Sequence, residues 1–217
     1  MDVAHALAAD GAPDGAVVLA DAQTGGRGRA GRSWASSPGT GVWLTVVTRP
    51  ADPGALEVLS LRVGLELAER LEPLAPAPVL VKWPNDLLVG GRKLAGVLVE
   101  ARWRDGRVEW AAVGVGVNVR PPVGFDDAAA LAPGAARADA LAAVVNAVRA
   151  ASVRRGVLTP DELGRLARRD AVRSRWAVAP VAGRVVGITP SGVLQVDNGS
   201  AVHELRQATV EYAQEPG

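Results

Sequence analysis

Residues 23–34 read Gln-Thr-Gly-Gly-Arg-Gly-Arg-Ala-Gly-Arg-Ser-Trp, and the rest of the chain is organised around them. Gly25, Gly26, Gly28 and Gly31 are interleaved with Arg27, Arg29 and Arg32, and Trp34 closes the run. Glycine lets backbone turn through positive φ and come close to a ligand. Arginine is a permanent cation whose fork matches carboxylate and phosphate oxygens. Together they make a flexible cationic wrap for an anion. The Gly-x4-Gly-Lys-Ser/Thr spacing of a Walker loop is absent. Gly26-Arg-Gly28-Arg-Ala-Gly31 spells Gly-x-Gly-x-x-Gly, but arginines crowd the place where a pyrophosphate needs bare backbone. No acidic residue is suitably placed about 20 residues on. Taken alone, the stretch has a second, weaker reading as a solvated basic loop.

Composition narrows the chemistry. The 217 residues can bury one good core and carry a small appendage. Hydrophobic residues make up 48% and charged residues 22%, ordinary for a soluble globular chain. The net charge of +1 gives no global field for nucleic acid, so the arginines act locally. The absence of cysteine excludes disulfides, thiol nucleophiles and cysteine-based metal sites. His5 and His203 are the only imidazoles, which excludes a histidine-rich metal site and leaves a Ser-His-Asp triad little to recruit. There is no secretory leader pattern at Met-Asp-Val-Ala-His and no apolar run near the ~20 residues of a membrane helix, so the expected compartment is the cytoplasm. Lys82 and Lys93 are the only lysines among 24 basic residues. Nucleotide bias with chance survivors would explain that; so would a site that needs a compact ammonium on a flexible stem.

Both lysines fall in further blocks: Lys82-Trp-Pro-Asn-Asp86 and Arg92-Lys-Leu-Ala-Gly-Val-Leu-Val-Glu100, followed by Gly114-Val-Gly-Val-Asn-Val119. With the glycine–arginine loop, these blocks in this order resemble the catalytic domain of biotin-protein ligases, of the monofunctional type without a DNA-binding domain. Such enzymes adenylate biotin and attach it to carboxylase carrier domains. The resemblance covers residues 1–170 well and 171–217 more loosely.

In chain order, 2–10 reads as a helix too short to stand alone, and 16–22 as a strand delivering Gln23 into the loop. Val42–Thr48 is β-branched and aromatic, a buried strand. Leu56, Leu59, Val63, Leu67 and Leu71 repeat at helical spacing, predicting a core helix over 53–71. Val79–Trp83 is a strand that leaves Asn85 and Asp86 at its end, facing a cleft or making a turn. Residues 93–103 alternate, with Ala95, Val97, Val99, Ala101 and Trp103 on one face and Gly96, Leu98, Glu100 and Arg102 on the other. Asp105-Gly106 is a hairpin turn, and the return strand 107–119 sets Gly114, Gly116 and Asn118 on one face. Such a face suits either something flat lying against it or a close helix crossing. Helices follow over 137–155 and 160–169, the second with Thr159 as N-cap and Pro160 at N1. Short valine-rich runs after Ala171 complete the chain.

The resemblance implies an α+β fold: a mixed, mostly antiparallel sheet flanked by helices, like class II synthetases. A catalytic domain would span 1–170 and a small SH3-like barrel 171–217. It implies ATP-dependent ligation of biotin to a carrier lysine through biotinyl-5'-AMP, with ATP and Mg²⁺ as cofactors. Lys93, Arg29 and Arg27 would be catalytic. Gln23, Arg27, Gly28, Arg29, Lys93, Gly96, Leu98 and Gly116 would hold biotin. Arg27, Arg29, Arg32, Trp34, Asn85, Asp86, Lys82 and Asn118 would hold ATP, and Asp86 would touch the metal of Mg-ATP. The loop over 24–40 would be mobile when empty and close over the adenylate. The partner would be a biotin carboxyl carrier domain of an acyl-CoA carboxylase, with no nucleic acid or membrane, the ligase itself a monomer or homodimer. Family members place a Ser-Thr pair, which contacts the ureido ring of biotin, just ahead of the point where this chain begins. The chain therefore either extends upstream of Met1 or makes that contact otherwise. A binding-only homologue and a lipoate- or octanoyl-transferring relative are the alternatives.

Overall fold

The computed structural model describes residues 1–213 apart from Ser33, Ala35, Ala51, Val123 and Gln207. Its first part runs α1 (Asp2–Ala9), β1 (Val17–Ala20), β2 (Gly41–Thr48), α2 (Leu56–Leu71), β3 (Leu80–Lys82), β4 (Asp86–Val89), β5 (Arg92–Arg104), β6 (Arg107–Asn118), α3 (Arg137–Ser152) and α4 (Pro160–Arg169). Strands β7 (Trp176–Ala179), β8 (Gly183–Ile188), β9 (Leu194–Asp197), β10 (Val202–Leu205) and β11 (Glu211–Ala213) follow. One sheet has six strands in the order β1-β2-β6-β5-β4-β3 and the other five in the order β10-β9-β8-β7-β11. Every strand pair named here is antiparallel; parallel pairing enters, among the described residues, at the isolated bridges Val81–Asp170 and Lys93–Ala128. The architecture is thus the expected α+β, antiparallel one.

The period-two pattern of the long hairpin decides what lies on each side of the sheet. Asp105 (φ 49°) and Gly106 (φ 74°) both take the left-handed conformation that a tight two-residue turn requires. That turn sets Gly96 opposite Gly116 and Leu98 opposite Gly114, with Val97 opposite Val115. Val97, Val113, Val115 and Val117 face the core under α2 and α3. Burying each valine or leucine side chain there contributes about 1.5–3 kcal/mol. The glycines face the other way. The hairpin tip runs past the core: Ala101 is already exposed, the register shifts between Arg102 and Trp103, and Trp103 is 51% exposed, which the alternation alone does not anticipate. Strand β4 was also not anticipated; Gly90 (φ 56°) and Gly91 (φ 77°) turn it back into β5.

Helix α4 starts where its sequence says it should. The Thr159 hydroxyl accepts from the Glu162 amide and the Glu162 carboxylate accepts from the Thr159 amide, a capping box behind Pro160. Glu162 also binds Arg62 of α2 at 2.9 Å, a guanidinium only 1% exposed. Burial pushes the Glu162 carboxyl up, but Arg62 and the Thr159 amide outweigh it and hold the group below the usual glutamate value.

The short α1 is held from outside, as its length demands. Ala4 and Ala8 pack with Val47 and Trp110. Arg49 donates to the Ala8 carbonyl in the last turn of α1 at 2.9 Å and to the Ala12 carbonyl just beyond it at 3.0 Å, tying the helix end to β2. The C-terminal strands share the main core: Val172, Ala177, Val185, Leu194 and Val196 join one cluster with α2 and the large sheet. The Trp83 indole donates to the Gly192 carbonyl at 2.9 Å across that seam.

Candidate functional site

A cavity of about 420 Å³ opens on the glycine face of the large sheet. Its floor is Gly96 and Leu98 of β5, Gly114 and Gly116 of β6, and Trp43 and Thr45 of β2. The last two were missed in the sequence because Val42–Thr48 reads as buried throughout. The register Trp43–Gly116 and Thr45–Gly114 places both on the glycine face.

The glycine–arginine loop forms the roof. Gly28 donates to the Arg32 carbonyl at 2.6 Å and Trp34 to the Gly26 carbonyl at 2.8 Å, so the loop is folded on itself. Between them Ala30 (φ 54°) and Gly31 (φ 72°) are left-handed, the second at no steric cost. Gln23 anchors the loop's start, its side-chain oxygen accepting from the Ser36 hydroxyl at 3.2 Å. The Trp34 ring lies flat on the floor: a Cβ built on Gly116 would stand 2.9 Å from it, and one on Gly96 3.2 Å. The flat object that the glycine face accommodates in this structure is the chain's own indole. Trp34 also meets Trp43 edge-on, with centroids 6.3 Å apart. Neither indole N–H has a hydrogen-bond acceptor among the described residues.

The cations divide into three groups. Lys93, at the start of β5, puts its Nζ 2.7 Å from Asp86 Oδ1 and 4.9 Å from the Trp34 ring centroid. Arg29 donates to Asn85 Oδ1 at 3.4 Å, while Asn85 Nδ2 is tied to the Val97 carbonyl at 2.8 Å. Partial burial lowers Arg29 from its ordinary value, and nearby Asp86 opposes that shift. Arg27 points to the rim, where Asp2 of α1 accepts from it at 2.8 Å and Glu100 lies 3.6 Å away. Gln23, Arg27, Gly28, Arg29, Arg32, Trp34, Asn85, Asp86, Lys93, Gly96, Leu98 and Gly116 all line this one cavity.

Two expected ligand residues lie elsewhere. Lys82 is on edge strand β3, on the face opposite buried Val81, and its Nζ sits 5.7 Å over the Tyr212 ring of β11. Burial, helped by the charge of Asp170, pushes the Tyr212 phenol up to about 12. Lys82 shares a sheet face with Asp86 and Gly96 by register, but on the far edge strand its ammonium reaches Tyr212 of the C-terminal sheet, and it does not line the cavity with Lys93. Asn118 is on the glycine face but 4% exposed, covered by the segment after Pro122. Its amide donates to the carbonyls of Lys93 at 3.3 Å and Ala129 at 3.0 Å. It braces the backbone of Lys93 instead of lining the cavity. His5 is held between Trp110 and Glu100, and His203 pairs with Asn198; neither reaches the cavity.

No group of three or more His, Cys, Asp or Glu able to hold a metal occurs among the described residues. The one carboxylate on the cavity floor side, Asp86, already meets an ammonium. This donor set does not fit a metal held by the protein. No helix among the described residues is long and apolar enough to cross a membrane.

The arrangement sets an ammonium and guanidinium groups beside a flat glycine floor, chemistry that can neutralise and align anions. The chain is 42% identical over 120 residues to the biotin–[acetyl-CoA-carboxylase] ligase of Mycobacterium tuberculosis, covering 52% of this chain and 43% of that protein. It is 40% identical over 126 residues to the bifunctional ligase/repressor BirA of Bacillus subtilis, covering 57% of this chain and 39% of that one. The chain thus matches less than half the length of these two relatives. The biotin protein ligase of Aquifex aeolicus, solved in complex with biotin and ATP, shares the fold with a TM-score of 0.78 at 23% identity, covering 97% of this chain and 94% of that one. The family model for biotin/lipoate A/B protein ligases matches residues 4–118, more than half of the chain, and the protein belongs to that family.

Proposed function

We propose that the protein is an ATP-dependent biotin-protein ligase that works through biotinyl-5'-AMP. The observation that carries this reading is the convergence of Lys93 and Arg29 on one side of a glycine floor roofed by Trp34. A carboxylate and a triphosphate repel each other, so the main task is to neutralise and align them. In the first step a biotin carboxylate oxygen bonds to the α-phosphorus of ATP, the bond to the β-phosphate oxygen breaks, and pyrophosphate leaves. Lys93 bridges the carboxylate and α-phosphate oxygens. Arg29, Arg27 and Arg32 meet the remaining phosphate charge, Arg27 after leaving Asp2. Gln23 and the backbone at Gly28 hold biotin over Gly96, Leu98 and Gly116. In the second step the amine of a carrier lysine attacks the mixed-anhydride carbonyl, AMP leaves with the bonding pair, and the amine loses a proton. No protein nucleophile is needed, consistent with a chain that has no cysteine and keeps both histidines away from the cavity. Closing the loop over the adenylate excludes water from a hydrolysable anhydride. The acceptor is a biotin carboxyl carrier domain of an acyl-CoA carboxylase.

The test is to incubate the protein with biotin, Mg-ATP and a carrier domain and weigh the carrier by mass spectrometry. Gain of one biotinyl group, absent without ATP, supports the reading. Biotin binding without transfer or pyrophosphate release would mark a binding-only homologue, and transfer of lipoate or octanoate instead would mark the acyl-transferring branch.

A further inference from the structure

Asp86 is the acidic residue of the cavity's inner wall, and its geometry gives it a different task from holding a metal. Its Oδ1 is 2.7 Å from Lys93 Nζ, with the two side chains 24% and 36% exposed. Strand register fixes the pair: Asp86 lies opposite Gly96 at the start of β4. A Cβ on Gly96 would stand 3.4 Å from both Asp86 Oδ1 and Lys93 Cε, so the pair packs directly over this residue. Lys93 is fixed at its other end as well. Its amide donates to the Asp127 carbonyl at 3.0 Å, and its carbonyl accepts from Ala129 at 2.8 Å and from Asn118 at 3.3 Å. Backbone and counter-ion together hold a long, flexible side chain against the Trp34 ring.

We infer that Asp86 is the positioning residue of Lys93, aiming its ammonium across the glycine floor, and that it acts through Lys93 and not as a metal ligand. This inference rests on the proposed function for its kinetic consequence, but the pairing itself can be read without activity. Four-carbon lysine stems have many rotamers, and fixing the reacting geometry is worth large factors in rate.

The experiment uses Asp86→Asn, which keeps the size and removes the charge. Because Lys82 and Lys93 are the only lysines, ¹³Cε-lysine labelling yields two NMR signals, assigned with Lys82→Arg. The Lys93 signal is expected to shift in Asp86→Asn as the stem leaves the face of Trp34, while that of Lys82 stays. In pyrophosphate release, kcat is expected to fall about 10- to 100-fold, as for a misplaced catalytic group, with the half-maximal Mg²⁺ concentration unchanged. An unmoved Lys93 signal, or a rise of tenfold or more in half-maximal Mg²⁺ with kcat restored at high Mg²⁺, would overturn the inference. If the wild type releases no pyrophosphate, the function proposal fails on its own, and the two NMR signals still decide whether Asp86 holds Lys93.

Discussion

The Trp34 indole covers Gly116, standing 2.9 Å from where a Cβ on that residue would be. Nothing larger than hydrogen is compatible with the ring in this place. A ligand that lies on Gly96 and Gly116 must therefore move Trp34 aside, and the same ring can then close over it. Gly116→Val is expected to raise the dissociation constant for biotin at least tenfold, a loss on the order of 1.4 kcal/mol, while the melting temperature shifts little. Isothermal titration beside thermal unfolding checks both halves; unchanged biotin affinity would show that the ligand lies elsewhere.

Moving Trp34 should be visible directly. Addition of biotin and Mg-ATP is expected to change tryptophan emission as the half-buried Trp34 indole leaves Trp43, with which it makes edge contact at 6.3 Å. Trp34→Phe should abolish most of that change although five other tryptophans remain of the 6 in the chain. An undiminished signal in Trp34→Phe would mean that the loop does not rearrange.

Arg62 and Glu162 tie α2 to the first turn of α4 in the interior, at 2.9 Å. Arg62 also donates to the carbonyls of Gly156 and Val157 at 3.0 and 2.6 Å. Arg62→Leu leaves the buried Glu162 carboxylate with only the more distant Arg154, at 3.8 Å, and is expected to cost about 3 kcal/mol. A urea titration should show the midpoint fall with the slope retained.

Acid should weaken the same side of the molecule. Hydrogen bonds from Arg165 and Arg169 hold Glu69 and Glu72 below the ordinary value of 4.5, and Glu162 also lies below it. A depressed carboxyl contributes stability that is present above its unfolded value and lost as pH falls through its folded one. The melting temperature is therefore expected to be flat just above pH 4.5 as far as these groups act, and to fall as pH drops below 4.5. Arg165→Gln should flatten part of that fall.

Much of this was legible in the sequence. The spacing of Leu56 to Leu71 gave α2, the Thr159-Pro160 pair gave the start of α4, and Asp105-Gly106 gave the hairpin whose register aligns the glycines. Most of the cavity's residues lie in the blocks that carried the family resemblance. What was not legible depends on register and on neighbours distant in sequence. Where the long hairpin leaves the core, exposing Ala101 and Trp103 at its tip, is not encoded in the alternation. The partners of Lys82 and Asn118 come from β11 and from the segment near Ala129, which no local pattern announces. Trp43 and Thr45 look like core because a strand between two covered faces shows no alternation. The hold of Asp2 on Arg27 joins residues too far apart for any motif to reveal.

The most direct test of the proposed chemistry is pyrophosphate release with biotin and Mg-ATP, measured for the wild type and for Lys93→Ala. Release that requires biotin, and that falls about 10²–10³-fold in Lys93→Ala while the variant stays folded, is the expected result, matching the loss of one preorganised charge at the reacting oxygens. Biotin-dependent release that survives in Lys93→Ala, or no release from a folded wild type that binds biotin, would contradict the adenylation mechanism centred on Lys93.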